Sequence, residues 1–332
     1  MAERACIFGP AGLELGARER AFFDEADPWG FILFARNLED PEQIRRLTGD
    51  LRDAVGRDAP ILIDQEGGRV QRLRAPHWRE WLPARDQCAL FADPAIRAES
   101  MRLRSQLIGA ELLDLGIDVN CAPVLDVATD VTHSVLANRC YGETAEDVAR
   151  IGRAVADGLL DVGVLPVMKH MPGQGRAISD SHKELPRVSA ERDRLDARDF
   201  APFRELADLP MGMTSHIVLT AVDAERPATQ SSDVVELIRD EIGFDGLLMT
   251  DDLSMHALSG AFGERVRKSL AAGCDMILHC NGDPQEMAEV AAAAPELRGQ
   301  AARRAKDALA AKAPKEVDLG YANSRLNEIL RV

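Results

Sequence analysis

The stretch between Lys169 and His182 carries the residue types best suited to proton transfer. Lys169 and His170 end an apolar segment, and Asp180 lies two residues before His182. A carboxylate at that spacing can orient an imidazole and raise its basicity. Proline and glycines between the two pairs forbid a continuing helix, so we predict a loop that leaves the end of a strand. The pattern predicts an acid–base pair carried on a loop.

A second acidic position follows another apolar segment, where Asp251 and Asp252 come directly after residues 246–250. Asp252 fits a helix N-cap, a position that favours aspartate. For Asp251 we expect an ionised carboxylate, because cations at neighbouring strand ends would stabilise its charge. Such a carboxylate opposite a His–Asp pair can cleave a glycoside: one group attacks or stabilises the anomeric carbon and the other protonates the leaving oxygen.

Eight short apolar segments alternate with helical patterns along the chain, which predicts a parallel sheet covered by helices. Eight such units favour an α/β fold of the TIM-type (β/α)8 class. We expect one domain over residues 1–332, with C-terminal packing helices from about residue 283. A doubly wound open sheet is the alternative, but no G-x-G-x-x-G fingerprint follows the first strands. The predicted strands are 6–8, 30–34, 60–63, 117–121, 164–169, 211–216, 246–250 and 275–278.

The predicted strands end in polar residues, and in a TIM-type barrel the chemistry lies at those carboxyl ends. Burying so many polar groups without a ligand would cost free energy. Carboxylates, cations and imidazoles hydrogen-bond sugar hydroxyls well, so these ends favour a small, hydroxyl-rich and mostly neutral ligand. The polar residues are Arg36, Asn37, Asp64, Glu66, Arg72, Asp126, Arg139, Lys169, His170, His216, Asp251 and His279.

Charge and composition narrow the range of partners. The net charge of −15 argues against binding to a nucleic-acid backbone or to an anionic membrane surface. We see neither a targeting segment nor an apolar stretch near the ~20 residues of a membrane helix. The six cysteines form no C-x-x-C pair, which favours free thiols in a reducing compartment. We therefore expect a cytoplasmic protein, a monomer, with neither nucleic acid nor membrane as partner.

Metal binding is the rival use of the histidines. His170, His182, His216 and His279 come from different segments, and no H-E-x-x-H helix pattern is present. We therefore predict neither a metal site nor a cofactor, with a metal-dependent barrel hydrolase as an alternative.

Six motifs stand at the predicted strand ends. They read GFILFARN at 30–37, DQEGGRVQR at 64–72, NCAPVLD at 120–126, KHMPG at 169–173 with DSH at 180–182, MTSH at 213–216 and TDDLSM at 250–255. Together they resemble glycoside hydrolase family 3, specifically its single-domain bacterial β-N-acetylglucosaminidases of peptidoglycan recycling. The resemblance covers nearly the whole chain.

The resemblance implies an exo-acting, retaining β-N-acetylglucosaminidase that acts on N-acetylglucosaminyl-anhydromuramyl peptides. It implies that Asp251 is the nucleophile of a covalent glycosyl-enzyme and that His182, oriented by Asp180, is the acid/base. Histidine replaces the usual second carboxylate and titrates near ~6.5, so one group can serve as acid and then as base. Carriage on a loop implies that the pair swings in after substrate binds. The residues implied to hold the sugar are Asp64, Arg72, Arg139, Lys169 and His170.

The chain departs from the family pattern K-H-F-P-G-H-G, because Met171 replaces the aromatic residue and Gln174 the second histidine. Two alternatives remain open. A β-N-acetylglucosaminide phosphorylase of the same family would use phosphate to intercept the glycosyl-enzyme. A non-catalytic muropeptide-binding barrel would bind sugar without cleavage, but binding alone does not need Asp180, His182 and Asp251 together.

Overall fold

A computed structural model describes residues 3–181 and 183–331 of the chain. Eight parallel strands close into a barrel in the order β1-β12-β11-β9-β7-β6-β3-β2. Each predicted strand overlaps one of these eight, so the predicted TIM-type barrel is confirmed. Two short pairs, β4–β5 and β8–β10, lie outside the barrel. The strands are β1 (Arg4–Phe8), β2 (Pro28–Leu33), β3 (Ile61–Ile63), β4 (Gln65–Gly67), β5 (Val70–Gln71), β6 (Val119–Asn120), β7 (Leu165–Met171), β8 (Arg187–Val188), β9 (Met211–Thr214), β10 (Val218–Leu219), β11 (Leu247–Asp252) and β12 (Met276–His279).

Helices alternate with the barrel strands and cover the outside of the barrel. They are α1 (Ala17–Ala26), α2 (Pro41–Val55), α3 (Ala84–Ala89), α4 (Pro94–Asp114), α5 (Ser134–Ala137), α6 (Ala145–Val162), α7 (Arg192–Arg194), α8 (Ala201–Glu205), α9 (Ser232–Glu236), α10 (Phe262–Ala272), α11 (Pro284–Ala293), α12 (Gly299–Ala310) and α13 (Leu319–Ile329). Within the described part of the chain, no helix is long and apolar enough to cross a membrane.

The barrel strands are buried on both faces, which explains their nearly continuous apolar sequences. Alternate residues of β1 divide between two layers, because successive side chains of a strand point to opposite faces. Ala5 and Ile7 belong to the cluster that fills the barrel, whereas Cys6 and Phe8 pack in the layer between strands and helices. The whole of β7 is buried. The strands therefore form a rigid frame for the residues at their ends.

The predicted helix boundaries rest on ordinary capping chemistry. The sequence predicts a helix that begins at Pro41 with Asp40 as its N-cap. Asp40 accepts a hydrogen bond from the backbone N–H of Gln43 at 2.8 Å, which confirms this start of α2. For α9 the sequence predicts Ser231 or Ser232 as the N-cap, and Ser231 is the residue that caps it. The sequence predicts a helix over residues 267–272 that Gly273 ends. Gly273, with φ of 110°, does end α10, but this helix begins earlier, at Phe262.

The segment around α12 covers the amino end of the barrel, opposite the strand ends that carry the polar motifs. Arg304 forms an ion pair with Asp275, which precedes β12, at 3.0 Å. Lys312 pairs with Asp118, which precedes β6, at 2.5 Å. Ala305 and Ala308 of α12 join the cluster that fills the barrel. Within residues 3–181 and 183–331, the amino end of the barrel is therefore covered, and the carboxyl end is open to a ligand.

Candidate active site

A cavity of about 320 Å³ opens at the carboxyl end of the barrel. Its volume lies at the lower end of the range for small-molecule sites. All but one of the predicted site residues line it, and the exception, His182, lies outside the described residues. The predicted residues on its wall are Asp64, Arg72, Arg139, Lys169, His170, Asp180 and Asp251.

A network of paired charges forms one side of the cavity; we call Asp64, Glu66, Arg72, Arg139 and Lys169 the charge network. Lys169 Nζ lies 2.8 Å from Asp64 Oδ1 and 2.6 Å from Glu66 Oε1. Its side chain is only 2% exposed, so the ammonium depends on these carboxylates in place of water. Arg72 Nη2 completes the cluster at 3.0 Å from Asp64 Oδ2.

The β4–β5 hairpin brings Glu66 into this network. Arg139 binds Glu66 with two hydrogen bonds, Nε to Oε2 at 2.9 Å and Nη2 to Oε1 at 2.8 Å. This two-point geometry is the strongest form of a guanidinium–carboxylate pair. It joins the end of β3 to the loop after β6 and fixes the Arg139 guanidinium before any ligand arrives.

The pairing controls protonation within the network. Burial alone would raise the pKa of the Asp64 carboxyl, but Lys169 and Arg72 outweigh burial and hold that pKa well below its usual value. Burial is likewise outweighed at Glu66, where Arg139 and Lys169 lower the pKa to about 2. Burial would lower the pKa of Lys169, yet Asp64 and Glu66 raise it. Asp64, Glu66 and Lys169 are therefore charged at neutral pH.

His170 is fixed by a buried carboxylate. Its Nδ1 lies 2.7 Å from Asp126 Oδ2, and the other oxygen of Asp126 accepts a hydrogen bond from the backbone N–H of Gln174 at 2.7 Å. A proton on Nδ1, directed at Asp126, leaves Nε2 as the acceptor in the neutral ring. That nitrogen faces Arg139 Nη2 at 3.4 Å. The imidazole therefore has a defined orientation in the wall of the cavity.

Asp251 stands at the end of β11 and is 8% exposed. Its Oδ1 accepts a hydrogen bond from the backbone N–H of Asp252 at 2.8 Å, and the side chain lines the cavity. Asp252 holds the turn that follows, since its Oδ1 accepts from the backbone N–H groups of Ser254 and Cys280. The N-cap chemistry expected for Asp252 therefore stabilises a turn instead of a helix.

Two strand-end histidines to which we assigned no role have protein partners. His216 is fully buried, with Nδ1 2.7 Å from Thr229 Oγ1 and Nε2 3.0 Å from the backbone oxygen of Asp252. Burial lowers the pKa of His216. His279 Nε2 lies 3.0 Å from Glu286 Oε2. Neither residue lines the cavity, so both are structural in this fold.

The loop that carries Asp180 differs between its base and its tip. At the base, Arg176 Nε pairs with buried Asp199 at 2.7 Å, and the backbone N–H of His133 donates to Ala177. The tip, residues 178–181, is more exposed, and the carbonyl of Ser181 accepts a hydrogen bond from the neighbouring loop after β11. The root of the loop is therefore held by a buried ion pair, whereas its tip is more exposed.

Sequence reasoning named Glu66 and Asp126 as strand-end residues but gave neither a role. Glu66 pairs with Arg139 and shares Lys169 with Asp64, and Asp126 orients His170. The sequence feature that could have pointed to them is their position beside residues with assigned roles in the same motifs. As for metals, residues 3–181 and 183–331 contain no group of three histidine, cysteine or carboxylate side chains placed to hold one. All six cysteines are free and buried, as expected.

Comparisons with known proteins agree with this geometry. Residues 19–309 match the family model described as the glycosyl hydrolase family 3 N terminal domain. The chain is 38% identical over 280 residues to a Beta-hexosaminidase of Alkalilimnicola ehrlichii, covering 83% of this chain and 80% of that protein. It is also 38% identical over 276 residues to a Beta-hexosaminidase of Vibrio cholerae, covering 82% and 81%.

Solved structures show the same architecture. The native NagZ of Neisseria gonorrhoeae superposes with a TM-score of 0.85 at 29% identity, covering 100% of this chain and 97% of that one. A family 3 β-N-acetylglucosaminidase of Paenibacillus gives a TM-score of 0.86 at 32% identity, covering 98% of this chain and 67% of that one. The likeness therefore extends over essentially the whole chain.

Proposed function

Because this chain belongs to glycosyl hydrolase family 3 and is a β-N-acetylhexosaminidase, we propose that it releases terminal N-acetylglucosamine from N-acetylglucosaminyl-anhydromuramyl peptides of peptidoglycan turnover. A Neisseria gonorrhoeae NagZ that is 27% identical, with a TM-score of 0.86, is described as a complex with N-trifluoroacetyl-D-glucosamine. We further propose that the enzyme works as a single-domain monomer in the cytoplasm, where its free cysteines would stay reduced.

In this proposal the sealed barrel admits one terminal sugar, which makes cleavage exo-acting. The charge network and His170 receive the sugar hydroxyls, because each fixed charge directs a hydrogen bond into the cavity. Asp64, Arg72, Arg139, Lys169 and His170 are the proposed binding residues.

Cleavage follows a two-step displacement with retention of configuration. A carboxylate oxygen of Asp251 attacks the anomeric carbon while His182 donates its proton to the glycosidic oxygen, so one carbon–oxygen bond forms and another breaks. In the second step His182 takes a proton from water, and the water oxygen displaces Asp251 from the anomeric carbon. Asp180 orients the imidazole and stabilises its charged form.

One observation carries this proposal: Asp251 and Asp180 line the same cavity as the charge network. A carboxylate on the end of β11 is held by the barrel, whereas Asp180 arrives from the loop after β7. Groups from β11 and from the loop after β7 can therefore reach opposite sides of one anomeric carbon.

Small-nucleophile rescue tests both roles with an activated aryl N-acetyl-β-glucosaminide. Asp251→Ala should lower kcat by at least about 10⁴-fold, and added azide should yield the α-glycosyl azide. His182→Ala should lower kcat for a poorly activated substrate by ~10²–10⁴, and azide should yield the β-glycosyl azide. The products are identified by NMR.

Normal activity in Asp251→Ala, or azides of the opposite configuration, would contradict the assigned roles. The matching aryl glucoside serves as the substrate control and should react much more slowly. The same reactions run in phosphate distinguish hydrolysis from phosphorolysis, because sugar 1-phosphate as the main product would identify a phosphorylase.

A further inference from the structure

Arg69 stands at the mouth of the cavity. Of the described residues that line the cavity, it is the one that is exposed. The opposite end of the cavity is closed by buried apolar side chains, including Ile32, Met213 and Leu278. A terminal sugar that occupies the closed end must leave the rest of its substrate at the mouth, so the leaving group passes the Arg69 guanidinium.

The charge of Arg69 has no counterpart in the described parts of the chain. The three other lysine and arginine side chains on the cavity wall are paired: Lys169 and Arg72 with Asp64, and Arg139 with Glu66. The Arg69 side chain forms neither an ion pair nor a hydrogen bond with residues 3–181 or 183–331. Among the described residues, the mouth of the cavity therefore presents an arginine that has no ion-pair partner, although the whole chain carries a net charge of −15.

The hairpin holds Arg69 in this position. Gly67 and Gly68 have φ of 99° and 59°, which allow the tight turn that precedes Arg69. The backbone N–H of Gly68 donates to Trp81 at 2.9 Å. A Cβ at Gly67 would lie 1.7 Å from Arg104 Nη2, so the backbone there is in close contact with a buried guanidinium. The Arg69 side chain thus extends from a fixed backbone.

We infer that Arg69 binds a carboxylate of the leaving group and makes the enzyme selective for anionic leaving groups over neutral ones. This inference rests on the proposed function and adds a specificity-determining residue to it. A guanidinium matches a carboxylate with two parallel hydrogen bonds, and an exposed position makes the pair sensitive to salt. The carboxylate can belong to the lactyl group of the anhydromuramyl unit or to the attached peptide.

Three substrates separate these sources: peptide-free N-acetylglucosaminyl-anhydro-N-acetylmuramic acid, its lactyl methyl ester, and the disaccharide that carries the peptide. The acid and the ester differ by one charge. For Arg69→Gln we expect kcat/KM to fall about fivefold on the substrate whose carboxylate is bound, the upper end for exposed ion pairs. On the ester, kcat/KM should change less than twofold. If kcat/KM falls on the acid, Arg69 binds the lactyl carboxylate. If kcat/KM falls on the peptide substrate alone, Arg69 binds a carboxylate of the peptide.

Two variants control the experiment. Arg18→Gln removes an exposed arginine of α1 that does not line the cavity, and it should leave kcat/KM unchanged for all three substrates. Arg69→Lys keeps the positive charge and should retain part of the preference for anionic over neutral leaving groups. In the wild type, KM for the bound acid should rise with salt, and this dependence should weaken in Arg69→Gln.

Equal losses on all three substrates, or no loss on any, would overturn the role of Arg69 while leaving the proposed function intact. A wild-type enzyme that releases N-acetylglucosamine from none of the three would overturn the proposed function, and the inference with it.

Discussion

The charge network and the loop around Asp180 line the same cavity but are built in different ways. Lys169, at the end of β7, is 2% exposed and bonded to two carboxylates, whereas Ile178 at the loop tip is 66% exposed. The network is complete without a ligand, because every charge in it has a partner. At the loop tip, the carbonyl of Ser181 accepts a hydrogen bond from the backbone N–H of Ala257.

The contrast suggests a division of work. Desolvated charges on rigid strands lose little entropy when a sugar binds, so recognition belongs on the barrel. Proton transfer must serve two successive steps, and a group on a loop can adjust between them. If this division holds, changes in the network should alter stability and binding, whereas changes in the loop should alter turnover alone.

The largest effect is expected for Lys169→Met. It removes the cation shared by Asp64 and Glu66 and leaves excess negative charge buried, which should lower the free energy of unfolding by about 3–5 kcal/mol. Urea unfolding measures this, and calorimetry should find N-acetylglucosamine binding lost. Lys268→Met is the matched control: its ammonium is 50% exposed and pairs with Glu264, so a change below about 0.5 kcal/mol is expected. Equal effects of the two substitutions would contradict the proposed role of the network.

Asp180→Asn should act on turnover. We expect kcat to fall about 100-fold, within the range for acid–base groups, with little change in KM or in unfolding. The pH–rate profile should move to lower pH, because a carboxylate beside an imidazole favours its protonated form. Asp130→Asn, on an exposed turn nearby, is the control and should leave the rate unchanged. A loss of stability without a change in the pH profile would make Asp180 structural.

A smaller, pH-dependent effect is expected for Glu66→Gln. The folded pKa of Glu66, about 2, lies below the ordinary value of ~4.3. Its ionised form therefore stabilises the fold above pH ~4.3, and this stabilisation is lost as the pH falls toward 2. The stability difference between wild type and Glu66→Gln should be largest above pH 5 and shrink below it, by at most about 1.4 kcal/mol per pH unit.

Urea unfolding at pH 7, 5, 4 and 3 measures the trend for Glu66→Gln. Glu42→Gln, whose carboxylate is 85% exposed, should differ from wild type by an amount that does not depend on pH. A constant difference for Glu66→Gln as well would show that its carboxylate gains nothing from Arg139 and Lys169.

The sequence was sufficient to predict the barrel, and the described residues predicted for the site lie around one cavity. The buried strands are short and apolar, so they are easily distinguished from the helices in the sequence. Because the functional residues of a TIM-type barrel lie at the carboxyl ends of its strands, motifs that are distant in the chain are expected at one cavity. Asp64, Lys169 and Asp251 are far apart in the chain yet line the same cavity. Local signals also fixed the caps at Asp40 and Ser231, because capping depends only on neighbouring residues.

The pairings within the site were not predictable in the same way. Glu66 meets Arg139 because a two-stranded hairpin turns back over the barrel end, and nothing in the spacing of 73 residues encodes that contact. The role of Asp126 depends on the orientation of His170, which is a property of the folded cavity. Such contacts are set by tertiary packing, so a motif can name the participants without naming the pairs.

The contact between Gly67 and Arg104 limits how this enzyme can change its substrates over evolution. Any side chain at position 67 would displace the Arg104 guanidinium, which donates to the backbone oxygen of Glu66 at 2.5 Å. A substitution made there to reshape the entrance would therefore disturb Glu66 and the charge network as well. Position 69 has no such constraint, so lineages that acquire new leaving groups should vary at 69 and keep glycine at 67.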